Sequence, residues 1–434
     1  MHIFRSTWLI SFRCFVVKLL SFRFSPFDLG CLYFPSSAFK FQLSSVSSEM
    51  TLYINALPLE LGGFGIGAYT RDLILGLGRS QVASQIVLIC PFRLAENPTI
   101  LASGLKVKKI GLPFWVPRKL SDALWPEMVG WWLAQQSNSI FFSPAQFYSL
   151  FVPQNVWVTC HDCMPLHFPV YLGKNPLRKW RYYRGLRYLA RCQGVITDSE
   201  ASKGDIERML GIPRERIHVV TCWESEMYSI AKGAELRARV RTTYGLPERY
   251  WLYLGGYDIR KNVEFLIRSY AAVRATRELP PLVLAGKIPE RQHPTLCDVR
   301  GAIQVTGLSD REIMTPGFIA DEDLPGLYAG AELFLYPSRG EGFGLPPLEA
   351  MSCGCPAIVG DNTSLREVVA DDGYRFSTND GGSELEALLR QAAEAPLPLN
   401  PKPRDFSMEK SLDRLIRVLG VKLAKQAEDS TTKD

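Results

Sequence analysis

Residues 341–349 read EGFGLPPLE, two glutamates with seven residues between them, set with glycines and prolines between the apolar runs LFLY and CPAIVG. A plain connection from strand to helix needs only a few turn residues, so the acids require another reason. Gly342 and Gly344 let backbone N–H groups approach a ligand closely, and Pro346 or Pro347 suits the first turn of a helix whose positive end attracts phosphate. Two carboxylates beside a diphosphate would repel it, so Glu341 and Glu349 are read as facing hydroxyl groups, as on a sugar and a ribose. The plainer alternative has Glu349 complementing the helix dipole and Glu341 solvated.

A second stretch, GGYDIRKN, places Arg260 and Lys261 side by side after a glycine turn. A guanidinium fork next to a compact ammonium suits a diphosphate leaving group. Such pairs also commonly line a solvated face.

These loops need strands to carry them. From Met50 onward the pattern alternates: TLYINAL, QIVLICPF, SIFFSPA, NVWVTCHD and QGVITDSE are short apolar runs ending in polar or turn residues, as buried parallel strands do. AYTRDLILGLGRS and SEASKGDIERMLGI have helical spacing, the latter with Ser199 or Ser202 as its N-cap. A second series follows, with WLYLGG, PLVLAG, IMTPGFIA, ELFLYPS and CPAIVGDN as strands and VEFLIRSYAAVRA and DEDLPGLYAGA between them. Two such series mean an α/β chain of two Rossmann-like, doubly wound domains. The expected divisions are an extension over 1–49, an N-terminal (acceptor) domain over 50–230, a C-terminal (donor) domain over 231–403, and a helix with a tail over 404–434. FSMEKSLDRLIRVL is expected to form that last helix, packed back on the N-terminal domain.

The 434 residues exceed one ordinary core, and 47% hydrophobic with 22% charged residues is a globular balance. A net charge of +6, half of it in residues 1–49, is too small to argue for nucleic acid. Ten cysteines without a regular framework fit a reducing compartment, hence the cytoplasm. STWLISF, between Arg5 and Arg13, is far short of a membrane span. Residues 1–49 are read either as sequence upstream of a functional start at Met50 or as a basic, aromatic membrane-surface segment.

Together, the glutamate pair within EGFGLPPLEAMSCGCPAIV, the GGYDIRKN and LVLAG stretches and the closing FSMEKSLDRLIRVL resemble the retaining, nucleotide-sugar-dependent glycosyltransferases of group 1, family 4 type. The resemblance runs from Met50 to about Leu419 and implies the GT-B fold, with two Rossmann-like domains facing each other across a cleft. It assigns Arg260 and Lys261 to the donor diphosphate, Glu341 to the donor sugar hydroxyls and Glu349 to the ribose, with backbone contacts from Gly342, Phe343 and Gly344. LGGFGIGAYTRDL is similar to the family's glycine loop near the donor phosphates, which puts Gly63 there, and TCHDCMPLHFP matches its His-Asp loop, with His161 near the reacting sugar. Two departures stand out: the family often has Trp at the position of Met408, and Cys160 and Cys163 flank the His-Asp pair.

The implied activity is transfer of a hexose, with mannose as the guess, from a nucleoside-diphosphate sugar to a glycan, glycolipid or lipid-linked saccharide. No cofactor or metal is expected beyond that co-substrate: Arg260, Lys261 and a helix N-terminus supply the positive charge a metal would bring to the diphosphate, and Cys160 and Cys163 have no second pair of suitable spacing for zinc. Partners are the donor and the saccharide or lipid-linked acceptor, with a peripheral contact at the inner face of the membrane and no nucleic acid. Residues 175–191, NPLRKWRYYRGLRYLAR, read either as a helix facing a membrane or acceptor, or as an ordinary amphipathic helix whose Arg stems cover apolar surface. Two rivals are an NAD-dependent oxidoreductase, for which GGFGIG lacks the proper fingerprint, and an inactive paralogue acting as an assembly partner.

Overall fold

The computed structural model describes residues 50–62, 65–113, 115–151, 155–370, 374–400, 402 and 405–421. All of these fall in one unit of the chain. The first sheet is built from β1 (Thr51–Asn55), β2 (Ile86–Cys90), β3 (Lys106–Lys109), β4 (Ser139–Ser143), β5 (Val156–Thr159), β6 (Gly194–Thr197) and β7 (Ile217–Val219). Its strands are all parallel, in the order β3-β2-β1-β4-β5-β6-β7. The second comprises β8 (Trp251–Leu254), β9 (Leu282–Ala285), β10 (Ile313–Gly317), β11 (Leu333–Tyr336), β12 (Ala357–Gly360) and β13 (Tyr374–Phe376), parallel in the order β10-β9-β8-β11-β12-β13. VWVT, LVLA, LFLY and AIVG are buried throughout, because helices cover both faces of such a sheet and polar alternation is lost. The run read as IMTPGFIA is strand only through Gly317, and its pairing shifts between Met314 and Gly317, where Pro316 has no N–H for the ladder.

The helices that bear on the site are α1 (Ile66–Gly78), α2 (Arg118–Leu133), α3 (Pro176–Leu189), α4 (Glu200–Leu210), α5 (Ile230–Thr243), α6 (Val263–Arg274), α7 (Leu324–Gly330), α8 (Leu345–Ser352) and α9 (Met408–Leu419). On one face of the first sheet Leu73, Ile74 and Leu77 of α1 pack over Leu52 and Ile54. On the other face, Trp125 and Val129 of α2, Leu186 and Leu189 of α3 and Ile206 of α4 pack over Phe141 and Val158. α5 belongs with the second sheet: a Cβ on its Gly233 would lie 2.6 Å from Ala329 Cβ, and one on Gly326 would lie 2.7 Å from Val240 Cγ2, so α5 and α7 cross at glycine distance. α9 returns to the first half, where Leu412 and Met408 fill the space beside Gly76 and Arg414 Nε donates to the Val219 carbonyl at 2.5 Å.

Both sheets reverse their order beside the first strand, between β1 and β4 and between β8 and β11. In doubly wound sheets the ligand crevice opens at the carboxyl ends of the strands at that reversal. The GGYDIRKN loop leaves β8, and the EGFG loop leaves β11.

Candidate active site

The second sheet's reversal point brings its two loops onto one another. Lys261 Nζ lies 2.7 Å from Glu341 Oε1 and also donates to the Tyr336 hydroxyl, while Arg260 Nη1 lies 2.5 Å from Glu341 Oε2. Arg260 Nε reaches Asp258 at 3.1 Å, and Ser338 Oγ donates to Glu341 Oε1 at 2.6 Å. The sequence reading has Glu341 in the glycine turn facing the donor sugar hydroxyls and the two cations on a second loop at the donor diphosphate, with no pairing between them. In the structure Glu341 and Lys261 are only 8% and 7% exposed and form one network. Adjacent cations in so dry a place need a carboxylate between them. Burial alone would raise the Glu341 carboxyl, but Lys261 and Arg260 hold it at about 2. Burial pulls the Lys261 ammonium below its ordinary value against the pull of Glu341, whereas the Arg260 guanidinium, which burial would also lower, is raised by Glu341 and Asp258.

The following residues are shaped by close approach. Gly344 caps α8 at φ +114°, a conformation that favours glycine. A Cβ on Gly342 would lie 2.7 Å from the His161 carbonyl of the other half, so the two halves touch there. Phe343 turns into the core against Phe406, leaving only its backbone near the loop. Glu349, on α8, is half-buried and accepts from Tyr328 at 2.8 Å and from Tyr228. Burial pushes its carboxyl up to about 7. Glu349 lines a cleft to which the first half contributes Gly65, Tyr69 and Arg71, the second Asp321 and Leu345, and the segment before α5 Tyr228. Gly63 lies outside the described residues. Beside it, Gly62 and Gly65 have positive φ, and the carbonyl of Gly62 leaves no room for a Cβ on Gly67.

His161 follows β5 and is fully engaged: Nδ1 lies 2.6 Å from Asp198 and Nε2 2.8 Å from the Pro144 carbonyl. Burial would lower its pKa, but Asp198 and the two hydrogen bonds outweigh that and raise it. Its ring packs edge-on against Tyr69, one of the cleft residues. The structure therefore places the His161 ring behind the cleft wall and its carbonyl against Gly342. Sequence reasoning missed Asp198, Tyr228, Tyr328 and Tyr336. Of these only Asp198 carried a signal, as the acid that ends the apolar run QGVIT.

Further contacts join the halves around this point. Ser199 Oγ donates to the Gly342 carbonyl at 2.8 Å, and Tyr171 Oη donates to Asp258 at 2.5 Å. The Glu367 carboxylate accepts from the backbone N–H groups of Glu200 and Ala201 at the start of α4. Among the described residues no group of three or more His, Cys, Asp or Glu side chains could hold a metal ion.

Two facing, doubly wound parallel sheets with site loops at their reversal points define a GT-B type protein. Residues 248–394 match the family described as "Glycosyl transferases group 1" and residues 65–223 the one described as "Glycosyltransferase Family 4", and the chain belongs to the group 1 glycosyltransferases. This sets aside the dinucleotide reading of the glycine loop. "Serotype-specific mannosyltransferase WbdA" of Escherichia coli is 32% identical over 250 residues, covering 56% of this chain but 30% of WbdA. "O-antigen chain mannosyltransferase B" of Escherichia coli is 33% identical over 260 residues, covering 59% of this chain and 66% of that protein. The chain thus spans less than two thirds of either relative. In fold it is similar to sucrose-phosphate synthase from Thermosynechococcus elongatus (TM-score 0.64, 17% identity, 85% of this chain and 98% of that one). It is equally similar to Anabaena Alr3699/HepE in complex with UDP and glucose (TM-score 0.63, 16% identity, 86% and 100%).

Proposed function

We propose that the protein transfers a hexose, with retention of anomeric configuration, from a nucleoside-diphosphate sugar to a hydroxyl of a saccharide or lipid-linked acceptor. The single observation that carries this is the convergence of Arg260, Lys261 and Glu341 at the loop that runs directly into the cleft-lining helix of Glu349. Charge develops on the leaving diphosphate as the sugar bond breaks, and preorganised cations in a dry site are the strongest means of meeting it. Arg260, Lys261 and the N-terminus of α8 supply that charge in this reading, so no metal is required for the step. Both Glu341 oxygens are already held by cations and Ser338, which favours a positioning and electrostatic role over one as a committed nucleophile. Retention then requires the acceptor to arrive on the face the diphosphate leaves.

Mannose is the sugar favoured by the names of the two relatives, and a UDP-bound structural neighbour supports a nucleotide donor. Eight described cysteines are free, which fits the reducing cytoplasm where such donors are used. Thermal unfolding with UDP, GDP, ADP and their sugars tests the donor class, since a ligand that binds only the folded state raises its stability. NMR of the product's anomeric proton tests retention. Stabilisation by none of the nucleotides, or an inverted product, overturns the corresponding half of the reading.

A further inference from the structure

Basic charge is distributed very unevenly along the chain. Residues 106–197 hold twelve Lys and Arg against Asp122, Glu127 and Asp162, a surplus of nine where the whole chain carries a net six, and no acid occurs from Cys163 to Thr197. Five of these cations lie on α3. Arg184 is tied down: it pairs with buried Glu127 of α2 at 2.7 Å and lies over the rings of Tyr148 and Trp180, each at 5.2 Å. Arg181 donates to the Tyr148 hydroxyl at 2.9 Å. These contacts knit α2, the Tyr148 loop and α3 into one surface. Arg178, Lys179, Arg187 and Arg191 are exposed there, and none makes an ion pair among the described residues. A solvated helix ordinarily balances such charge with acids a turn away.

The same surface is apolar to an unusual degree. α3 buries Gly185, Leu186, Tyr188 and Leu189 and leaves Leu177, Trp180 and Tyr183 60%, 45% and 46% exposed. Trp131, one turn beyond Glu127 on α2, is 41% exposed. Single exposed apolar residues are common. Here, however, eight of the fifteen large exposed hydrophobics among the described residues, including all three exposed tryptophans, fall between Trp115 and Tyr183.

Unpaired Arg and Lys interleaved with Trp, Tyr and Leu match an anionic lipid interface. The cations are drawn to the headgroups, the amphipathic rings settle at headgroup depth, and the leucines bury below them. A nucleic acid would use the cations and rings but gain nothing from Leu120, Leu150 or Leu177. We propose that the α2–α3 face of the first half docks on an anionic phospholipid surface, with Arg178, Lys179, Arg187 and Arg191 at the headgroups and Leu177, Trp180 and Tyr183 in the interfacial layer. This goes beyond the proposed function and does not depend on which sugar moves.

The test is co-sedimentation of the full chain with phosphatidylcholine vesicles, with and without phosphatidylglycerol. Binding is expected only to the anionic vesicles, falling as salt rises, and the triple variant R178E/K179E/R187E is expected to weaken it by at least about tenfold. Brominated lipid is expected to quench tryptophan fluorescence in the wild type, and less so in Trp180→Phe. Thermal unfolding of each variant reports the fold independently of activity. The proposal is overturned if the wild type ignores anionic vesicles. It is equally overturned if the charge variant, or a folded Lys179→Glu, binds them like the wild type, or if a single-stranded nucleic acid binds as tightly and bromolipid quenching is absent.

Discussion

Glu341 and Glu349 share a loop and a helix, yet their surroundings drive them in opposite directions. Glu341 is held at about 2 despite burial, because two cations and Ser338 hold its ionised form. Its folded value lies below the ordinary 4.5, so its stabilisation is present above that pH and is lost as pH falls toward 2. Glu349 is raised to about 7 by burial that two tyrosine hydroxyls only partly offset. Its folded value exceeds 4.5, so the stability it contributes is full below that pH and disappears as pH rises through 7. Denaturant unfolding of Glu349→Gln is therefore expected to gain on the wild type by about 2–3 kcal/mol between pH 4.5 and 8. A constant difference across that range would contradict the burial assignment. Glu341→Gln leaves the buried Lys261 ammonium without its carboxylate, while Arg260 keeps Asp258, and is expected to destabilise the fold by about 3 kcal/mol. In enzyme that remains folded, its kcat is expected to fall on the order of 10²-fold, because a preorganised contact at the reacting end is lost. Glu349→Gln is expected to raise the KM for donor with kcat little changed, since a contact to a non-reacting group acts equally on ground and transition states.

At the scale of elements, the strands and the two doubly wound sheets were legible because strands buried on both faces spell out continuous apolar runs such as LFLY and AIVG. The start of α4 was legible because Ser199 accepts from the Ser202 N–H as an N-cap. The pairing of Arg260 and Lys261 with Glu341 was not: eighty residues separate them, and only the β8–β11 adjacency, a non-local fact of strand order, brings their loops together. The two tyrosines on Glu349 were hidden for the same reason, since Tyr228 precedes α5 and Tyr328 sits inside α7. Gly342 looked like a residue chosen for freedom at a ligand, yet it is also where the halves meet, with the His161 carbonyl 2.7 Å from where a Cβ would be. A methyl there cannot be absorbed by rotating a side chain, because the facing atom is backbone. Gly342→Ala is therefore expected to leave nucleotide binding, measured by calorimetry, within about threefold, while turnover falls on the order of 10²-fold through misplacement of the halves. Loss of nucleotide affinity with turnover retained would show that Gly342 serves the donor alone.

Across the whole molecule, several segments bring the two sheets' strand ends together. α9 fastens the end of the second half to α1, and the Tyr171–Asp258, Ser199–Gly342 and Glu367–α4 bonds draw the site loops into contact. In the proposed transfer, contact of this kind keeps water from the donor, whose hydrolysis would be the competing reaction. Arg260 and Lys261, proposed to meet the leaving group, stand inside that contact. That role is tested most directly by measuring nucleoside-diphosphate release from the sugars of UDP, GDP and ADP, in EDTA, by the wild type and by Lys261→Ala with its fold verified. One of these donors is expected to be consumed without added metal, and Lys261→Ala is expected to slow its turnover on the order of 10²-fold or more. Consumption of no donor by the folded protein, turnover that EDTA abolishes and magnesium restores, or a Lys261→Ala enzyme as fast as the wild type would contradict it.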